Sequence, residues 1–425
     1  MEKYALDRIP DSERRSWWSI ALIWAGSIIS VSALMVGGVI VQGMPLVQGI
    51  IAGAIGYTIV LVLMIFQGMM GADFGVPTVV TASSAFGSQG AKYVISAILA
   101  ISCIGWFGVQ TGICGAAFSQ IMYMWLGVEI PVWLSGLIWG IIMLLTAVYG
   151  YEALEYLNYI AIPALIILCI VGVVMVIKNY GAISLKSYTP KENYSWSYAI
   201  GLSVGGFAVG GTIAADLTRY ARKRKDAILS GLIGIWPAGV FLVVIGGLLT
   251  VVAGTFDITI ALAQLGLGLI GSIILVLATW TTNTVNAYSG GLALVNLFNL
   301  KSEKRGLMTL IAGAIGTILA VVGLLDHFTS FLTILTAGIP PVSGCMIADY
   351  WICKKGNKEA WQNNIPKVNW IGLISWAVGF AIAIFVNVGI SAINGVIASM
   401  VLYCALYYPF YSKKTVKSIE SIVEK

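Results

Sequence analysis

Runs of about twenty apolar residues recur along the whole chain, each as long as a helix must be to cross the hydrocarbon core of a bilayer. Lipid cannot satisfy backbone amides and carbonyls, so segments of this kind pair their own groups as α-helices. Composition agrees with that constraint. Of 425 residues, 59% are hydrophobic and 10% are charged, where soluble domains carry roughly 25% charged residues. The chain reads as an all-α polytopic membrane protein in the lipid bilayer. Its net charge of +6 is no nucleic-acid signal, because the basic residues cluster in short connections.

The apolar runs predict twelve spans, at about 17–41, 46–70, 92–124, 131–150, 156–177, 196–218, 227–254, 268–298, 306–324, 328–352, 368–388 and 391–412. They form one membrane domain over 17–412, between polar tails at 1–16 and 413–425. Mixed charge at the N-terminus, with no small-residue cleavage site, predicts no signal peptide. Lys and Arg favour cytoplasmic loops. With both termini cytoplasmic in a cell membrane, 21 of the 24 basic residues fall inside, leaving Lys178, Lys186 and Lys191 in the loop after span 5. The six cysteines lie mostly in apolar runs without metal-ligand spacing and are expected as buried, unpaired thiols.

Two spans are interrupted. Span 6 carries five glycines within the first eleven residues of Gly201–Arg222, and glycine weakens a helix interior by ~1 kcal/mol relative to alanine. A helix broken there frees backbone groups that must line a protein-enclosed cavity, to which Phe207, beside Gly205 and Gly206, offers its ring. The competing reading is close helix packing through small residues. Span 1 is interrupted by Gly26-Ser27-Ile28-Ile29-Ser30-Val31-Ser32 and then Gly37-Gly38. Interrupted segments at corresponding positions mark an inverted repeat. The repeats would run over about 17–177 and 196–352, with two extra helices over 368–412.

Polar groups cluster at membrane depth. In span 8, Ala278, Thr281 and Thr282 share one helix face by their i, i+3, i+4 spacing. Two hydroxyls and a carbonyl there, with carbonyls from a broken span 1, could form an oxygen cage for a small alkali cation. Asn283 lies ~100° further round and offers a donor and an acceptor to a neighbouring cavity. The bland alternative is that the threonines bond to their own helix and Asn286 ties helices together. In span 3, Trp106 and Gln110 share a face, an indole plane beside an amide, suited to a flat polar heterocycle. Equally, they suit an aromatic core residue and an interhelical bond. No Asp, Glu, Lys or Arg falls in the middle third of a span. A charged ligand or proton coupling would call for one. With no nucleophile–base pair or phosphate-binding loop, an enzyme is not expected. The residues point instead to a neutral planar substrate coupled to a cation by neutral oxygens. An amino-acid-type symporter on the same fold and a channel or receptor without concentrative transport are the alternatives.

At these residues the chain resembles the nucleobase:cation symporter-1 family, and within it the cytosine permease branch. The matching blocks are GWFGVQ, GGFAVGGTIAADLTRYAR, TWTTN and IPPVSGCMIADYW, in order over nearly the whole chain. The resemblance implies a leucine-transporter-type fold with five-plus-five inverted repeats, broken helices 1 and 6, and import of a nucleobase or related compound with sodium. It implies a sodium site of backbone oxygens from Gly26, Ile29 and Ala278 with the hydroxyls of Thr281 and Thr282. The substrate would lie between Trp106 and Phe207, near Gly205 and Gly206, with Asn283 and Gln110 on its edge. A monomer is the expectation. Cys103, Gly206 and Thr284-Val285 stand where cytosine permeases have glutamine, serine and Asp-Asn. The Trp106–Gln110 spacing instead resembles the hydantoin-transporter branch.

Overall fold

The computed structural model describes residues 7–149, 151–362 and 365–423. Among them the sole β-type pairing is one bridge between Arg15 and Ala221, and the rest is helix, turn and connection. Eight helices are long and apolar enough to cross a membrane, or nine counting a bent pair as one span. The bent pair, Trp17–Ile28 with Val31–Gly43, is span 1. The eight are Leu46–Phe74, Ser88–Leu126, Ile160–Gly181, Trp196–Thr218, Arg224–Ala253, Gly268–Leu297, Leu324–Cys353 and Ser391–Pro409, at spans 2, 3, 5, 6, 7, 8, 10 and 12. Shorter apolar helices, Val132–Val148, Arg305–Val321 and Trp370–Phe385, stand where spans 4, 9 and 11 are expected. At 1.5 Å per residue the shortest is only ~24 Å long, less than the ~30 Å hydrocarbon core.

Two groups of helices organise the molecule. Spans 1, 2, 6 and 7 pack together, and spans 3, 4, 8 and 9 form a second group in which span 8 lies along span 3. Span 1 on span 7 is mirrored by span 6 on span 2, and span 3 on span 9 by span 8 on span 4. Exchanging each of these spans with its counterpart five positions away thus reproduces these two pairings. Small residues permit the close approaches. A Cβ on Gly246 of span 7 would lie 1.8 Å from the Leu34 carbonyl of span 1, and one on Gly56 of span 2 would lie 2.4 Å from the Ser203 Cβ of span 6.

Charge collects at one end. Asp73, at the end of span 2, receives Arg224 at 2.6 Å, Lys358 at 3.4 Å and the Tyr350 hydroxyl at 2.8 Å. The N-terminal segment joins the same end, with the Ile9 amide on the Gly75 carbonyl at 2.9 Å and the Arg15 amide on the Tyr220 carbonyl at 2.6 Å. At the opposite end, the Glu192 and Tyr194 amides close on the carbonyls of Gln42 and Gly43 at 3.1 and 2.8 Å. The positive-inside bias predicts the charged end in the cytoplasm. In a background without native cysteines, Lys191→Cys should react with an impermeant maleimide in intact cells. Lys223→Cys should react only after permeabilisation. The reverse pattern would invert the topology.

The cysteines are free, as expected, but only Cys114, Cys169 and Cys345 are buried. Cys103 borders a cavity, and Cys353 and Cys404 touch at 3.8 Å.

Candidate substrate and cation site

Span 1 stops being a helix at Ile28. Ile29 (φ −70°, ψ 95°) and Ser30 (φ −149°, ψ 159°) are extended, and the chain resumes as a helix at Val31, bent by 64°. Ser30 caps the second half by accepting the Ala33 amide at 3.3 Å. The last carbonyls of the first half therefore have no onward helix to pair with.

In span 6 the helix runs through Gly205 and Gly206, kinks at Phe207 (φ −138°, ψ 20°), ends at Thr212 and resumes at Ala215 after a turn at Ile213 (φ −92°, ψ 22°). The glycines serve packing as well as the irregularity. A Cβ on Gly205 would lie 2.2 Å from the Leu332 carbonyl of span 10, and one on Gly210 would lie 2.2 Å from the Phe207 ring. The small-residue reading thus holds at Gly205, while Gly210 leaves room for the ring to fold back.

These irregular stretches face spans 3 and 8 across a cavity of about 210 Å³. Span 1 lines it with Ser27, Ile28, Ser30, Ser32 and Ala33, and span 3 with Ser102, Cys103, Trp106 and Gln110. Span 6 adds Gly205, Gly206, Phe207, Val209 and Gly210, and span 8 adds Thr282 and Asn286. Two aromatic rings border it. Trp106 is wedged edge-on against Phe331 and Phe328 of the span 10 segment, with centroids at 5.2 and 6.1 Å, and Phe207 meets Trp24 at 6.3 Å. Both rings are only partly buried and are braced from outside the cavity, so a flat molecule could enter without displacing them. No charged side chain lines this cavity.

Two buried polar atoms there lack partners: the Gln110 Oε1 and the Ser102 hydroxyl. Buried polar groups are normally hydrogen-bonded, and both residues belong to the cavity wall. The Gln110 amide nitrogen donates to Ser32 at 3.3 Å, and Ser32 lies 3.2 Å from Ser30.

In span 8 the hydroxyls of Thr281 and Thr282 both donate to the Ala278 carbonyl, at 3.1 and 2.9 Å. Three oxygens thus converge within one helical turn, with the hydroxyl lone pairs left for a hard cation. Thr279 and Thr284 also bond back to their own helix, at 2.7 and 3.0 Å. Of the expected span 1 ligands, Gly26 lies in the last turn of the first half-helix and Ile29 at the break itself.

Asn283 is placed differently from the expectation. It is fully buried away from the cavity, and its amide nitrogen donates to the Phe107 carbonyl at 3.1 Å and Thr111 at 2.9 Å, beside the Met143 sulfur at 3.2 Å. It ties span 8 to spans 3 and 4. A turn of ~100° per residue carries it off the face of Thr282, while Asn286, i+4 from Thr282, returns to that face. Asn286, read from the sequence as an alternative helix tie, is the asparagine that lines the cavity. Ser30 and Ser32 were legible as part of the span 1 interruption, whereas Ser102 carried no distinctive signal. Ser102 lies i−4 from Trp106, a spacing from which it could have been found.

A sequence profile described as permease for cytosine/purines, uracil, thiamine and allantoin matches residues 8–408. The cytosine permease of Escherichia coli strain K12 is 28% identical over 415 residues, covering 97% of this chain and 96% of that protein. Among solved structures, the inward-facing conformation of Mhp1 aligns with a TM-score of 0.84 at 22% identity, covering 97% of this chain and 94% of that one. A closed conformation of Mhp1, described as a nucleobase-cation-symport-1 family transporter with bromovinylhydantoin bound, gives 0.76 at 21% identity, covering 95% and 94%. A sodium-coupled sialic acid symporter gives 0.60 at 11% identity, covering 95% and 92%. The fold is thus of the leucine-transporter type.

Proposed function

This chain belongs to the family of permeases for cytosine/purines, uracil, thiamine and allantoin, and on that premise we propose that it imports a nucleobase or a related planar heterocycle by sodium-coupled symport and alternating access. It is a multi-pass membrane permease, not an enzyme. The observation that carries the substrate class is the uncharged cavity between Trp106 and Phe207, with the unmet polar atoms of Gln110 and Ser102 at its wall. Aromatic faces above and polar edges beside suit a flat neutral ring with hydrogen-bonding edges. Within the cavity, Trp106 stacks the ring, Gln110 and Asn286 read its edge, and the Gly205-Gly206 backbone closes one side.

Sodium coupling is supported by the convergence of Ala278, Thr281 and Thr282. Gly26 and Ile29 would complete the cage when the two halves of span 1 move toward span 8. The twelve-span arrangement in a cell membrane with both tails cytoplasmic, a monomeric unit and the repeat boundaries belong to the same proposal.

The test is uptake by purified protein in proteoliposomes. Labelled cytosine, uracil, hypoxanthine and hydantoin should accumulate above the external concentration under an inward sodium gradient, with counterflow when the gradient is absent. Uptake that only equilibrates, without counterflow, would leave a channel. Accumulation of an amino acid in place of every heterocycle would favour the amino-acid-type symporter.

A further inference from the structure

We infer that the charged end of the molecule binds an anionic phospholipid at the start of span 1. Arg15, Arg222 and Lys223 hold its headgroup phosphate, and the bare face of Trp18 and Leu22 takes an acyl chain.

The cations are gathered by the fold. The stretch 219–225 carries five of them, Arg219, Arg222, Lys223, Arg224 and Lys225, and no carboxylate. The N-terminal segment is laid against this stretch by main-chain contacts. The Arg15 amide donates to the Tyr220 carbonyl at 2.6 Å. The Arg14 Nη1 donates to the carbonyls of Ala72 and Ala221, at 2.8 and 3.3 Å. Arg15 then lies over the Tyr220 ring, 5.8 Å from its centroid, with Arg219 at 5.3 Å. Arg222 donates through Nε to the Arg14 carbonyl at 3.4 Å, which leaves the end of its guanidinium fork for another acceptor.

The nearby carboxylates are engaged. Asp11 receives Arg14 at 3.2 Å and Arg8 at 3.7 Å, and Asp73 receives Arg224 at 2.6 Å. Among the described residues no carboxylate lies within ion-pair reach of Arg15, Arg222 or Lys223, and all three are exposed. Like charges held close by backbone contacts repel one another, so an anion among them is favoured. A phosphate suits a guanidinium fork.

The apolar surface beside these cations identifies the anion as a lipid. Arg15 leads directly into Trp17 and Trp18, whose rings meet edge-on at 5.4 Å. Trp18 is 54% exposed, and Leu22, one turn further on the same face, is 56% exposed. Tryptophan at the end of a span sits at headgroup depth, and basic residues clustered there attract anionic headgroups. A soluble anion would use the cations and leave Trp18 and Leu22 bare. A phospholipid uses both, and it bridges the N-terminal segment to the connection between spans 6 and 7.

The experiment titrates the purified protein in neutral detergent with phosphatidylglycerol, phosphatidylcholine, glycerol phosphate and inorganic phosphate, reading the thermal midpoint and the bound lipid by native mass spectrometry. Phosphatidylglycerol should raise the midpoint saturably, as a ligand of the folded state does, and should bind less tightly as salt is raised. The other three should do neither at the same concentration. Arg15→Gln and Arg222→Gln should each weaken phosphatidylglycerol about fivefold, and the two with Lys223→Gln about a hundredfold. Trp18→Ala should weaken it with the salt dependence unchanged. Lys304→Gln, which removes one exposed charge from the connection between spans 8 and 9, should leave the affinity as it is. Equal stabilisation by phosphatidylglycerol and phosphatidylcholine would overturn the inference. An equal loss in Lys304→Gln would replace the site with a diffuse effect of net charge. Stabilisation by glycerol phosphate or inorganic phosphate would replace the lipid with a soluble anion. The wild-type comparison decides between lipid and soluble anion even where a variant does not fold.

Discussion

Replacing Trp106 with alanine should weaken the best heterocyclic ligand about fivefold to a hundredfold. Base–aromatic stacking is worth roughly 1–3 kcal/mol per base in nucleic-acid-binding proteins, and about 1.4 kcal/mol is tenfold in affinity. The indole lines the cavity and is held edge-on by Phe331 and Phe328. The ring position is thus set before ligand arrives, and little ordering cost offsets the stacking. Trp106→Phe should keep part of the affinity through its smaller π face. The variants should differ in affinity by direct binding to purified protein, with thermal stability measured in parallel to separate lost packing against span 10 from a lost ligand contact. Equal affinity of Trp106→Ala and the parent for the tightest ligand would remove the stacking site and leave the amino-acid-type reading ahead.

Loss of a threonine hydroxyl in span 8 should act on the cation. Thr281→Ala and Thr282→Ala each remove one oxygen from the group gathered on the Ala278 carbonyl. Each should raise the sodium concentration that half-saturates ligand binding about tenfold, as expected when one polar contact in a dry site is lost. Thr282 also borders the substrate cavity, whereas Thr281 does not. Thr281→Ala should therefore shift sodium dependence with ligand affinity at saturating sodium preserved, and Thr282→Ala should shift both. Thr282→Ser keeps the hydroxyl and should restore most of the sodium response. Uptake equal in sodium-containing and sodium-free buffer at fixed pH would end the sodium assignment for both positions.

The positions of the helices were legible in the chain because hydrophobic length is a local property. A bilayer sorts twenty-residue apolar runs without reference to their neighbours, and the helical segments at all twelve expected positions follow those runs, although Val132–Val148, Arg305–Val321 and Trp370–Phe385 are shorter than a full crossing. The interruption of span 1 was legible for the same reason. Serine and glycine at 26–32 weaken a helix wherever it sits, and the bend falls at Ile29 and Ser30. In span 6 composition was less direct. Five glycines suggested a break among them, yet the helix runs through Gly205, which packs on Leu332, and Gly206, and departs at Phe207 and again at Ile213, just past Gly210 and Gly211.

The sequence by itself determined the membrane class, the order of the spans, the bend in span 1 and the residue types of the site: an aromatic ring with an amide one turn away in span 3, and a hydroxyl face in span 8. Each follows from spacing along a single helix, which a 3.6-residue turn converts into geometry without outside information. Only the tertiary structure decided which face of span 8 meets the cavity. Packing against spans 3 and 4 rotates Asn283 onto Phe107 and Thr111 and brings Asn286 to the cavity wall. The rotation of one helix about its axis is set by its partners, and those contacts join residues more than a hundred positions apart.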